Sequence, residues 1–332
     1  MSAGRIRVGV IGVGRMGERH CRIYSTLGDA AFVGVSDQSV ARGKDVAAKY
    51  DVDYFEDYAD LLGRVDAVSV VAPTQHHHEI ATDCLRRGVN VLVEKPIASS
   101  VAEASDLIRV ARQHSLVLQV GHIERFNPAF LELQSIVCDL EVVGIAARRL
   151  SPFDTSNTDI DVVLDLMIHD IDLVLALSNR PVEAVAAQGQ SRLTTSADYA
   201  VANVRFADGP MATLTASRIT EQKVRQLELT ALGAYVEADL LNKSVSIYRR
   251  TVPEYITNHS RPLRYRQENL VERIYIPTAE PLMLELQDFV RCVREGTRPK
   301  VAGEDGLRAL ELAMHIRAQI GSGQVVPALL AS

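Results

Sequence analysis

The residues of this 332-residue chain whose spacing carries chemistry begin with the run VGVIGVGRMG, Val8 to Gly17, where an apolar stretch leads straight into Gly12, Gly14 and Gly17. That G-x-G-x-x-G spacing suits a turn that cradles a dinucleotide. Gly12 allows the tight turn, Gly14 lets backbone N–H groups approach a pyrophosphate, and Gly17 lets the following helix pack on its strand. The helix N-terminus then holds the phosphates. The next apolar run, Ala31 to Ser36, ends in Asp37, 20 residues after Gly17. A carboxylate there accepts hydrogen bonds from an adenine-ribose diol and repels a 2′-phosphate, so NAD is expected over NADP, with Arg42 near enough in sequence to soften the preference.

Glu94-Lys95-Pro96 follows the strand-like VLV, which puts a lysine at the carboxyl end of a parallel sheet, where open α/β folds bind ligands. Pro96 keeps Lys95 out of the α region and aims it at the crevice. Such a lysine can hydrogen-bond a hydroxyl and act as acid or base; a solvated strand-end lysine would read the same. Asp165 and His169 stand four apart in VLDLMIHDIDLVLAL, so on a helix they share one face and the carboxylate can orient the imidazole. That pair suits general-base work on a hydroxyl, and a structural histidine is the competing reading. Asp170 and Asp172 are either solvated charges or groups that hydrogen-bond a substrate.

Arg125, in GHIERFNPAF, is placed to bind an anionic substrate group or to pair with a surface carboxylate. His122 is a secondary candidate for the same anion, and Asn127 and Pro128 read as the N-cap and first residue of a helix. His76, His77 and His78 are consecutive, so their side chains diverge and do not jointly chelate one ion. No metal site is expected.

The elements that must position these groups alternate. Strands are expected at Ile6–Ile11, Ala31–Val35, Ala67–Val71, Asn90–Val93 and Val117–Val120. Helical patterns lie between them at Arg15–Leu27, Val40–Tyr50, His77–Arg87 and Val101–His114. Strands apolar on both faces, separated by helices, predict a doubly wound parallel α/β sheet over residues 1–122. After Gly121 longer, alternating strands are expected at Val142–Arg149, Val182–Gln190, Tyr199–Phe206, Met211–Ile219 and Val245–Arg249. Helices are expected at Val162–Leu177, Leu282–Glu295 and Asp305–Ile320, and a surface excursion over Thr251–Asn269. Residues 123–332 thus read as an α+β domain on a large open, mostly antiparallel sheet.

Length agrees with two domains. A net charge of −6 gives no footprint for nucleic acid, and no apolar run approaches a membrane span or a signal-peptide core. The four cysteines, Cys21, Cys84, Cys138 and Cys292, form no C-x-x-C pair, which fits a reduced cytoplasm.

With these residues in hand, the chain resembles the glucose-fructose oxidoreductase, inositol dehydrogenase and rhizopine-catabolism (Gfo/Idh/MocA) family over nearly its whole length. The matching elements are GVIGVGRMGERH, APTQHHHE with His77 at the family's histidine, EKPIA, GHIERFNP, the D-x-x-x-H pair, and FVRCVREGTRPKVAGEDGLRALELA. The resemblance implies NAD(P)-dependent oxidation or reduction at a CH–OH group of a sugar or cyclitol, with Lys95, Asp165 and His169 as the catalytic set. It implies that Arg15, Met16, Pro73, Thr74, His77, Glu94 and Lys95 join the glycines and Asp37 along the cofactor, with Glu94–Pro96 beside the nicotinamide, and that His122, Arg125 and Asp172 face the substrate, held between the domains. It also implies dimers or tetramers built on the open sheet. VGHIERFNPA together with LDLMIHDIDL is most similar to the nucleotide-sugar branch, the UDP-N-acetylglucosamine 3-dehydrogenases. Many relatives have glycine where this chain has Met167, a bulk expected to reshape the pocket. The alternatives are a monosaccharide or inositol dehydrogenase, and a regulator that senses a dinucleotide without turnover; the presence of both Lys95 and His169 favours an enzyme.

Overall fold

The apolar runs of the first third pair as a parallel ladder. In the computed structural model, which describes residues 4–154, 160–250 and 269–322, these are β1 (Ile6–Ile11), β2 (Ala30–Ser36), β3 (Asp53–Phe55), β4 (Ala67–Val70), β5 (Asn90–Glu94) and β6 (Leu118–Gly121), in the order β3-β2-β1-β4-β5-β6. Every neighbouring pair is parallel. Between them run α1 (Arg15–Tyr24), α2 (Val40–Tyr50), α3 (Tyr58–Leu62), α4 (His77–Arg86) and α5 (Val101–Gln113). The expected doubly wound sheet is present with boundaries shifted by one to three residues at most element ends. β3 and α3, too short to show a period, were not expected.

Helix starts follow side-chain chemistry. Ser39, Asp57 and Ser100 accept backbone N–H groups of α2, α3 and α5, which satisfies donors that the first turn of a helix leaves unpaired. α1 differs: its N-cap is Gly14, which has no side chain to cap the turn. The open N–H groups of that turn suit an anion.

The rest of the chain supplies α6 (Pro128–Val137), β7 (Val142–Leu150), α7 (Ile168–Ser178), β8 (Val182–Gln190), β9 (Tyr199–Phe206), β10 (Met211–Ser217), β11 (Val224–Ala231), β12 (Ala234–Asp239), β13 (Ser244–Arg250), β14 (Asn269–Ile274), α8 (Pro281–Glu295) and α9 (Gly303–Ser322). The eight strands form one sheet, β14-β13-β12-β11-β7-β10-β9-β8, antiparallel except between β7 and β10. One cross-strand row, Ala202, Leu214, Ala147, Leu227, Ala238 and Val245, is buried throughout. The other face carries polar side chains, with Arg148 bound to Gln226 and Glu228, and Tyr248 to Glu237, beside the exposed Met211. β11, β12 and β14 were not expected from the sequence. The excursion over Thr251–Asn269 lies outside the described residues except for Asn269, which begins β14.

The chain divides into two compact units, Met1–Phe126 with Ala279–Met314, and Asn127–Thr278 with His315–Ser332. A single cut after residue 122 omits the return of the chain to the first unit. The cause is the apolar stripe of α8: Leu282, Leu286, Phe289 and Val290 complete a core with Ile23, Tyr24, Val35 and Val46.

The glycine turn itself is sterically determined. Gly12 has φ +89°, and a Cβ on Gly17 would lie 1.9 Å from the Gly12 carbonyl oxygen, whereas a Cβ on Gly14 would meet nothing within 4 Å. Gly17→Ala is therefore expected to cost about 1–3 kcal/mol through overpacking and to lower the melting temperature. Gly14→Ala should leave the melting temperature unchanged and weaken dinucleotide binding, measured by NADH fluorescence titration.

Candidate active site

The carboxyl edge of the parallel sheet gathers most of the residues singled out above. Asp37 follows β2, and its Oδ2 accepts the Val13 N–H at 2.8 Å while Oδ1 accepts that of Ser39. The Arg42 guanidinium also grips it, with Nη2 2.9 Å from Oδ1. Burial pushes this carboxyl up, but the guanidinium and the two backbone donors outweigh it and hold the pKa below the ordinary value. Asp37 thus fixes the glycine turn to β2 while remaining ionised. Gly12, Gly14, Arg15, Met16 and Gly17 make the turn and first helical residues. These features fit a dinucleotide: a tight glycine turn, an uncapped helix start and an ionised acid after the second strand.

His77 begins α4 and is buried. Its Nδ1 lies 2.9 Å from the Pro96 carbonyl and its Nε2 2.8 Å from that of Ala72, so it ties the Pro73-Thr74 turn to the segment after Lys95. Donation to both carbonyls requires the imidazolium, yet burial, the largest influence, pushes the pKa down against those two hydrogen bonds. We take the ring as neutral, donating to one carbonyl at a time. Its neighbours diverge: His76 meets Gln75, and His78 lies 3.0 Å from Asp106.

Lys95 is half-buried just beyond β5, and its peptide bond to Pro96 is cis. Opposite, β6 ends at Gly121, paired with Glu94, so His122 follows beside Lys95. His122 is buried, and among the described residues neither ring nitrogen has a hydrogen-bond partner. Burial, then the Arg125 and Lys95 charges, push its pKa down to about 3. It is neutral near pH 7 and offers an anion an N–H but no charge. Arg125, in the short turn Ile123–Phe126, is also buried, with Nη2 3.5 Å from the Lys300 carbonyl; it is not a surface residue. Lys300, which sequence reasoning missed, has its pKa pushed down by burial and by Arg125.

In the second unit, Asp161 caps the segment that carries the acid–histidine pair by accepting the Val163 and Leu164 N–H groups. Val163–Met167 is a π-helical turn, closed by the Ile168 N–H to the Val163 carbonyl, that leads into α7. The single α-helix expected over Val162–Leu177 is thus widened at its start, a distortion common at functional sites. Asp165 lies in the wide turn and His169 in the first turn of α7, both half-buried. Met167 between them is wholly buried and packs into the core of this unit. Asp170 is neither solvated nor a substrate group: it is buried in a bidentate pair with Arg149 of β7. Asp172 is buried as well, which removes the solvated reading for it.

Two family models match, one described as an oxidoreductase family with NAD-binding Rossmann fold over residues 6–122, the other as a Gfo/Idh/MocA C-terminal domain over 147–234. UDP-N-acetylglucosamine 3-dehydrogenase of Acidithiobacillus ferrooxidans is 34% identical over 95% of this chain and 97% of its own. The chain belongs to the Gfo/Idh/MocA family of oxidoreductases. A solved structure of that Acidithiobacillus enzyme superposes with TM-score 0.88 at 32% identity, covering 96% of this chain and 98% of the other. Myo-inositol 2-dehydrogenase of Thermotoga maritima is 26% identical over 92% and 94% of the two chains. Among the described residues no helix is long and apolar enough to cross a membrane.

The depressed pKa of His122 has a consequence for stability. The unfolded chain takes up a proton near pH 6.5, the folded chain only near pH 3, so stability present above pH 6.5 is lost as the pH falls through that window. The expected slope from this one group reaches about 1.4 kcal/mol per pH unit. Urea denaturation of wild type and His122→Phe between pH 6.5 and 4 should show a shallower decline in the variant.

Proposed function

We propose that this chain oxidises C3 of a UDP-N-acetylhexosamine with NAD as acceptor. The observation that supports this most directly is the 34% identity to a UDP-N-acetylglucosamine 3-dehydrogenase, which spans both units. The bound nicotinamide supplies the hydride acceptor; the protein supplies position and proton transfer. In this reading the Lys95 ammonium donates a hydrogen bond to the reacting oxygen, and His169, oriented by Asp165, takes the hydroxyl proton. Arg15, Met16, Pro73, Thr74, His77 and Glu94 line the cofactor with the glycine turn and Asp37. His122 and Asp172 offer hydrogen bonds to the sugar, and Arg125 contacts the diphosphate, where a guanidinium fork matches the oxygens.

NAD is preferred over NADP because Asp37 is ionised and accepts from a ribose diol. Arg42, already on Asp37, moderates the preference by offering a 2′-phosphate a cation. The enzyme is placed in the cytoplasm, in keeping with four free cysteines, and as a homo-oligomer through the open sheet, which exposes Val143 and Met211.

The test is turnover, followed at the reduced-nicotinamide absorbance, on UDP-N-acetylglucosamine, free N-acetylglucosamine and myo-inositol. Only the UDP-sugar should turn over efficiently; equal rates on free sugar or inositol would select the monosaccharide or inositol reading instead. Lys95→Ala and His169→Ala are expected to lower kcat by about 10²–10⁴, with NAD affinity nearly unchanged for His169→Ala. Arg125→Ala should raise KM for the UDP-sugar alone. Asp37→Ala should narrow the ratio of NADH to NADPH affinity in calorimetric titration, and wild-type affinity for NADPH equal to that for NADH would overturn the cofactor preference.

A further inference from the structure

Around Glu94, which precedes Lys95, lies a cluster whose other members, His20 and Glu285, no step above uses. His20, on α1 one turn after Gly17, is wholly buried, and its Nε2 lies 3.2 Å from Glu94 Oε1. A carboxylate oxygen only accepts, so Nε2 is the donor. Glu94 closes β5, and its Oε2 accepts the backbone N–H of Lys95 at 3.2 Å. Space for this carboxyl exists because residue 121 is glycine: a Cβ there would come within 2.9 Å of Glu94 Cδ and 3.0 Å of Oε2. Glu285 of α8 is also buried, and it brings a carboxylate oxygen within 4.8 Å of ligand-type atoms of His20 and Glu94. Three segments that begin or return at residues 15, 90 and 281 therefore converge around Glu94.

Burial of Glu94 favours its neutral form, yet the His20 hydrogen bond and charge, followed by the Lys95 charge, hold its pKa below the ordinary value. The titratable and charged groups facing Glu94 are His20 from α1, Glu285 from α8, His77 from α4, His122 after β6, and Lys95 itself. Of these, His20 makes a side-chain hydrogen bond to the Glu94 carboxyl.

We propose that His20 is a positioning residue for Lys95: by donating to Glu94 it keeps that carboxylate seated over Gly121, where it fixes the Lys95 main chain and so the position from which the Lys95 side chain reaches the substrate. The inference rests on the reading in which Lys95 acts on the substrate. It links the helix that follows the glycine turn to the lysine two strands away in the sheet through one imidazole.

The experiment compares wild type, His20→Leu, His20→Gln, Glu94→Gln and Lys95→Ala with NAD and UDP-N-acetylglucosamine. His20→Leu should lower kcat by about 10², the cost of a misplaced reacting group, while NADH affinity by fluorescence titration changes little. Without a seated carboxylate the ammonium loses its proton more readily, so the alkaline limb of the kcat–pH profile should move to lower pH. His20→Gln, which places an amide N–H near the position of Nε2, should restore most of the rate. Should His20→Leu not fold, Glu94→Gln must show the same displaced limb. A wild-type profile in both His20→Leu and Glu94→Gln, with Lys95→Ala inactive, would overturn the role of His20 and leave that of Lys95 intact. Full activity in Lys95→Ala would remove both. Parallel loss of kcat, NADH affinity and melting temperature in His20→Leu, unrescued by His20→Gln, would make the residue merely structural. Stoichiometric metal in the purified enzyme would replace the hydrogen bond with coordination and refute the proposal.

Discussion

The parallel hydrogen-bond ladder of the first unit is the constraint on which the rest depends. Because all six strands run the same way, their carboxyl ends fall on one edge, and each crossover must return before the next strand begins. The glycine turn after β1, Asp37 after β2, the Pro73-Thr74 turn after β4, Lys95 after β5 and His122 after β6 thereby share that edge without being near one another in sequence. Backbone pairing, blind to side-chain chemistry, does the assembling; side chains then refine it, as where Asp37 binds the Val13 N–H and His77 reaches the carbonyls of Ala72 and Pro96.

The second unit solves a different problem. Its sheet buries one face only, so its strands alternate, and the buried row is built from small and branched residues such as Ala202, Leu214 and Ala238. The segment bearing Asp165 and His169 is held to this sheet by charge as well as by apolar packing. Arg149 on β7 grips Asp170 on α7, and Arg317 reaches Asp161, which caps the wide turn. A buried pair of this kind roughly offsets its own desolvation when intact, but loss of one partner alone costs about 3–5 kcal/mol. That makes it a device of register more than of net stability.

Much of this was legible in the sequence. A continuous apolar run locates β1, and period-two and period-3.6 patterns locate α2, β8 and β9, to the residue; the glycine spacing with Asp37 reads as a dinucleotide turn because every role in it is local. What the sequence hid is non-local. β11 and β12 meet at a turn in which Gly233 has φ +80°, and their inward leucines and valine alternate with Glu228 and Glu237, whose charges mask the pattern until cross-strand partners are known. Asp170 reads as a free acid because Arg149 lies 21 residues earlier, and Arg125 reads as exposed because its cover comes from α8 and the residues before α9. His20 stood in plain view within the glycine motif, but neither Glu94 nor Glu285 can be assigned to it from spacing.

The return of α8 to the first unit also has a consequence for biosynthesis. The core around Ile23, Tyr24 and Val46 is finished by Leu286, Phe289 and Val290, which leave the ribosome more than 200 residues later. At about 5–20 residues per second, the nascent parallel sheet waits on the order of ten seconds or more with that apolar face unfilled, a window in which exposed apolar surface is open to aggregation.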